Sequence, residues 1–256
     1  MLTGRGIHHP DLRVRRRCFY NFAKFVKECR TEVDQSMAVA ILDSMKVGFT
    51  IPSLDRAHPQ DLLVIEAKVP EPETPDEDVM LKAVTGSTYL SDQLYLFEAA
   101  GNLIYLTRSD ATKQMALLEA LAGPLMSNIG DGLRRPTEPQ AILQVHHNLM
   151  ALGHFAKGFP HTQDNQIEQL PYTPPFKQMT EALLEALNVM KKERVVRDGA
   201  RFAFSQFVSA IGSTIAELVP RFVSVVVGEF ETTELVDFLL FLGLLMHRLK
   251  VSLLSD

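Results

Sequence analysis

From Asp11 to Cys29 the apolar residues Leu12, Val14, Cys18, Phe19, Phe22, Phe25, Val26 and Cys29 recur mostly three and four residues apart. The same spacing returns in segment after segment to the end of the chain. That period gathers apolar side chains on one face of an α-helix, so every such segment must find another helix to cover it. The chain is therefore read as all-α, and its architecture depends on how the apolar faces are paired.

A second helix is expected from Ser36 to Phe49, closed by Pro52. Ser91 is a suitable cap for a helix to about Thr107, and Asp110 opens one that runs toward Leu133. Pro124 should kink that helix or end its first part. Thr137 is expected to cap the next, with Pro139 in the first turn, where proline is tolerated, and Gly158 at its end. Further helices follow at Phe176 to Met190, Lys191 to Gly212, Ile215 to Glu229 behind a Ser213 cap, and Glu231 to Leu254.

Equivalent points in the first helix of each pair lie near Phe19, Phe97, Met150, Phe204 and Leu239. Without the insert that follows the first pair, the intervals approach the period of about 40–50 residues typical of HEAT or armadillo arrays. The expectation is one HEAT-repeat-like α-solenoid segment over 1–256, built from antiparallel helix pairs. The pairs fall at about 11–50, 91–133, 137–190 and 191–229, with a half pair at 231–254. A closed bundle of nine helices is the rival. The last segment, LVDFLLFLGLLMHRLK, favours the open array, because a helix apolar nearly all the way round must be covered by something beyond it. The chain is accordingly expected to be an incomplete piece of a longer solenoid.

Residues 51–88 differ in character. Pro52, Pro59, Pro70, Pro72 and Pro75 punctuate a stretch that includes the acidic run PEPETPDED, which predicts a mobile loop. Within it Leu62 to Val69 fits a strand or a helical turn, and Thr74 precedes a proline in an accessible position. A second polar loop is expected from Pro160 to Pro175.

With 46% hydrophobic and 22% charged residues the chain has the composition of a folded protein, and its formal net charge of -5 gives no overall basic field. Any contact with nucleic acid has to come from local patches. Cys18 and Cys29 lie about three helical turns apart, too far to bridge, and read as buried reduced thiols. The polar start of the chain lacks the apolar stretch of a secretory signal. The longest apolar run, Phe238 to Met246, is shorter than the roughly 18 residues of a membrane span.

Catalytic constellations are not found. His146, His147 and His154 share a helix, but no Glu or Cys stands at zinc-ligand spacing, so core or surface histidines are the reading preferred to a metal site. No cofactor is implied. Basic clusters carry more. Lys191, Arg194, Arg197 and Arg201 fall three and four apart, which lines them along one face opposite the apolar stripe and would suit a phosphate backbone. Arg13, Arg15, Arg16 and Arg17 form a second cluster, and Arg134 with Arg135 a third. Ordinary solvated helix faces would look the same.

In order, RVRRRCFYNFAKFVKEC, SDQLYLFEAAGNLIYL, KQMALLEALAGPLMSNIGDGL, RDGARFAFSQFVSAIG and ELVPRFVSVVV resemble the middle portion of exportin-T, the tRNA-exportin family of the karyopherin-β superfamily. The resemblance covers most of the chain and leaves the two loops unmatched. It implies a non-enzymatic HEAT superhelix that binds mature tRNA with Ran-GTP, traverses nuclear pore proteins and shuttles between nucleus and cytoplasm. Recognition of this kind reads the shape and backbone of A-form RNA. The three basic clusters would then contact the tRNA backbone, while Ran is held mainly by repeats absent from this chain. A generic HEAT scaffold that binds only protein is the alternative. An enzyme would need a metal at His147 and His154.

An uncovered apolar helix at residues 235–254 is expected to make the isolated chain self-associate. Sedimentation velocity should show concentration-dependent oligomers; a monodisperse monomer would contradict this.

Overall fold

The computed structural model describes residues 6–51, 78–86, 88–162, 170–229 and 231–249. Its α-helices are α1 (Leu12–Glu28), α2 (Gln35–Met45), α3 (Val79–Gly86), α4 (Thr88–Leu106), α5 (Ala111–Leu133), α6 (Pro139–Lys157), α7 (Thr173–Val189), α8 (Arg194–Ile211), α9 (Val219–Gly228) and α10 (Leu235–Leu249). No strand occurs among the described residues. Leu62 to Val69 and Thr74 lie outside them, as do residues 163–169 of the second loop and 250–256 of the last segment.

The helices form two layers. α1, α4, α6, α8 and α10 stack side by side in one, and α5, α7 and α9 in the other, where α2 packs on α4 and faces α5 across a cavity. Each hairpin thus contributes its first helix to one layer and its second to the other, the arrangement of an α-solenoid. α3 lies against α6 and α8, with Ala83 packed on Leu143.

Local chemistry sets the helix ends. Asp11, Asp34 and Asp110 each accept a backbone N–H of the first turn of α1, α2 and α5. The sequence reading departs from the structure at several other ends. α4 begins at Thr88, so Ser91 is inside the helix. Glu138, not Thr137, takes the cap position of α6, and Pro139 opens the helix. Of the two outcomes expected at Pro124, an end is not seen: α5 is a single helix through it. Ser213 lies within a 3₁₀ segment, Gly212–Leu218, rather than capping an α-helix. Gly212 adopts φ 57°, which a side chain would disfavour, and so turns the chain out of α8. Arg194–Gly228 is apolar and long enough by composition to cross a membrane, but this break divides it, and α8 packs on both α6 and α7.

Neighbouring first helices meet backbone to backbone. A Cβ on Gly101 of α4 would lie 2.1 Å from the Phe155 carbonyl of α6, and one on Gly158 would lie 2.3 Å from the Glu98 carbonyl. Glycine at both sites lets the helices approach until Phe97, Phe155, Phe159 and Phe176 close into one continuous core. At the far end α10 buries Phe238, Phe241, Leu245 and Leu249, while Val236, Leu239, Leu240 and Met246 are exposed.

α6 is central to the array and carries two fully packed histidines. Burial lowers His146 from 6.5 to about 4, and burial together with the charge of His146 lowers His147 to about 3. The unfolded chain therefore binds more protons than the folded one between these values and about 6.5. Stability from this pair is present above about pH 6.5 and is lost as pH falls toward 4. Thermal unfolding between pH 7 and pH 5 is expected to lose on the order of 1–2 kcal/mol per histidine, and His147→Leu should flatten the slope. An unchanged slope in that variant would contradict the assignment.

Candidate nucleic-acid interface

Because the first helices run parallel, the solenoid has two polar edges. One carries their amino-terminal ends, with the turns that enter α6 and α8. The other carries the turn within each hairpin. Three of the basic groups read from the sequence fall on the first edge: Arg13 to Arg17 at the start of α1, Arg134 and Arg135 between α5 and α6, and Lys191 and Arg194 between α7 and α8.

Most of these cations are already matched by acids. Arg13 pairs with its helix cap Asp11 at 2.9 Å. Arg16 reaches across to Asp92 of α4 and joins two hairpins. Arg134 is paired with Asp131, and Arg135 with Glu138 at 2.9 Å. Lys191 bonds Glu229 at 2.8 Å. Arg15 is half-buried and Arg17 exposed.

The expected stripe on α8 is not a solvated face. Lys191 lies before the helix, Arg194 is only partly exposed, and Arg197 and Arg201 are 1% and 7% exposed. Arg197 Nη2 meets Glu234 Oε2 at 2.5 Å, and its Nη1 donates to the Lys191 carbonyl at 2.8 Å. Glu231 stands 3.3 Å from Arg197, and Arg201 contacts Asp198 and lies 3.6 Å from Glu234. Glu234 also accepts the Glu231 N–H in a reciprocal cap that starts the last segment. Burial alone would raise the Glu234 pKa, but the Arg197 hydrogen bond, the Glu231 N–H and the charges of Arg197 and Arg201 together hold the carboxylate below its usual range. A helix within the array is covered on two flanks, which turns a face that spacing alone would leave to solvent into an interior. The side of α8 opposite its hairpin core faces α10.

The histidines do not converge. His146 and His147 form an edge-on pair 5.5 Å apart in the core, whereas His154 Nδ1 lies 3.9 Å from Glu98, an electrostatic contact too long for a hydrogen bond. Burial raises the Glu98 pKa, but His154 and Lys157, the latter bonded at 2.9 Å, bring it down to about 2. Among the described residues no group of three or more His, Cys, Asp or Glu could hold a metal. Cys18 and Cys29 are free and half-buried.

The other edge was not singled out by helical spacing. There Lys27, Arg30, Arg108, Lys157 and His161 line a trough of about 740 Å³ that spans the turns of three successive hairpins. The available signal was positional: these cations sit at the ends of first helices or just beyond them.

The family model of exportin-T matches residues 1–255. The chain is similar to Exportin-T of Laccaria bicolor, 36% identical over 98% of this chain and 23% of that protein. It is also similar to Exportin-T of Mycosarcoma maydis, 34% identical over 97% and 22% respectively, and to that of Coprinopsis cinerea, 32% identical over 98% and 23%. The chain thus spans less than a quarter of the length of these curated relatives.

If Arg197 ties α8 to α10, removing its partner should be costly. Glu234→Ala leaves the buried guanidinium with only the half-exposed Glu231 carboxylate at 3.3 Å, and urea unfolding should lose about 3–5 kcal/mol, against less than about 1 kcal/mol for Arg135→Ala at a surface pair. Equal effects would show that the buried network contributes nothing special.

Proposed function

We propose a function from one premise: the chain belongs to the exportin-T family. On that premise it is part of a nuclear export receptor for tRNA that acts without a catalytic step, moves between nucleus and cytoplasm, and works with Ran-GTP and nuclear pore proteins. The observation that carries the reading is the family match over residues 1–255, found in a chain that folds as a stacked helical array. An array of this kind offers a long, shape-complementary surface, which suits A-form RNA, whose deep major groove side chains cannot read.

Cargo contacts are proposed on the edge formed by the starts of the first helices. Arg17 is exposed and has no acidic partner among the described residues. Arg13, Arg15, Arg16, Arg134, Arg135, Lys191 and Arg194 complete the proposed set; those in ion pairs would exchange a carboxylate for a phosphate. Arg197 and Arg201 are left to the junction between hairpins.

The generic protein-binding scaffold is separated from this reading by titrating tRNA into the protein made from the complete reading frame that encodes this chain. Ran-GTP is expected to tighten tRNA binding by about 5–150-fold, the range of ordinary coupling between sites, and rising salt should weaken it steeply. Binding that is absent, or indifferent to Ran-GTP, would contradict the exportin reading.

A further inference from the structure

We propose that the trough along the hairpin turns is a second phosphate-binding surface, which takes the backbone of the RNA cargo through Lys27, Arg30 and Arg108. The inference rests on the reading of the chain as a tRNA-export receptor segment. It starts from a contrast in how cations are neutralised. On the opposite edge Arg13, Arg16, Arg134, Arg135 and Lys191 each have an acid beside them, while the exposed Arg17 stands apart from these pairs. In the trough, Lys27, Arg30 and Arg108 are exposed and have no acidic partner among the described residues.

The acids that do line the trough are occupied. Asp34 accepts the Met37 N–H at 2.8 Å as the cap of α2, and Glu98 is bonded by Lys157 at 2.9 Å. Four cations, Lys27, Arg30, Arg108 and Lys157, face these two carboxylates, an excess of positive charge in a concave place where a field is focused rather than dissipated. Arg108 is held over the Tyr105 ring, with its guanidinium carbon 4.8 Å from the centroid. That contact orients the fork without consuming its charge, and leaves its N–H groups for a phosphate.

The trough is also built in place. Ser109 donates to Gln35 at 2.8 Å, which fastens the α4–α5 turn to the start of α2, and the Gly101–Gly158 approach fixes the α6 end beside them. Its continuation, which shares Lys27, Glu98 and Lys157, is lined by Tyr20 and Tyr95. Their rings meet edge to face at 5.2 Å, and Tyr20 is 45% exposed. Lys24 is paired there with Glu28 at 3.8 Å, but an exposed aromatic face beside the unpaired Lys27 suits a nucleotide better than an acidic peptide, because a base or ribose can pack on the ring while a phosphate meets the charge.

The test is a triple variant, Lys27→Gln, Arg30→Gln and Arg108→Gln, in the complete reading frame, with tRNA affinity measured across a salt series in the presence of Ran-GTP. Affinity is expected to fall on the order of tenfold near physiological salt, and the slope of log K against log salt to drop by about 2–3. The charge-preserving set Lys27→Arg, Arg30→Lys and Arg108→Lys should retain most of the affinity, and Lys177→Gln in the other layer should leave it unchanged. Wild-type affinity and slope in the triple variant would overturn the trough while leaving the export reading intact. So would loss of polyglutamate binding with tRNA binding unaltered, which would mark an acidic protein segment as the occupant. Absence of tRNA binding in the wild type would overturn both.

Discussion

Parallel first helices that touch through their backbones are the constraint from which the remaining features follow. Gly101 and Gly158 allow α4 and α6 to approach more closely than any side chain would permit. The aromatic core then runs unbroken from one hairpin to the next. Burial on both flanks is what holds a stacked array together, since a single hairpin cannot cover its own apolar faces. It also fixes direction. Every first helix starts at one edge and ends at the other, so charges far apart in sequence are sorted into two lines.

That sorting gives the charged residues different tasks. In the interior, Arg197 and Glu234 form a junction between α8 and α10 that tolerates burial because each partner is present and further hydrogen bonded. At the edge where the first helices begin, arginines close local pairs with cap and turn acids, or bridge hairpins as Arg16 does with Asp92. Along the hairpin turns the balance changes, and cations outnumber the carboxylates beside them among the described residues. A protein with a net charge of -5 can therefore still present a basic surface, because its acids are spent elsewhere.

The helical period was legible in the sequence because it is a local property: residues three and four apart share a face whatever the tertiary setting. The all-α class and the paired helices followed from it, and Asp110 was legible as a cap. The position of Arg197 was not legible. Helical spacing locates it opposite the apolar stripe, but only the arrival of α10 from a distant part of the chain turns that face into an interior. Glu234 carries no mark of its role either, since it reads as the third residue of an ordinary capping box. The trough is hidden for a related reason. Lys27 and Arg30 come from the first hairpin and Arg108 from the next, and no short window of sequence places all three together. Pro124 shows the opposite limit: its ring disfavours helix interiors, yet α5 runs through it.

The central claim is that stacking of parallel first helices creates a cationic edge at the hairpin turns, and that cargo RNA lies along it. Hydrogen exchange of the tRNA-bound protein, compared with the free protein, addresses this directly by reporting protection along the whole chain. The account predicts slowed exchange in the turns that line the trough, around residues 27–35, 105–109 and 157–161. Protection confined to the opposite edge, or to the second layer of helices, would contradict it.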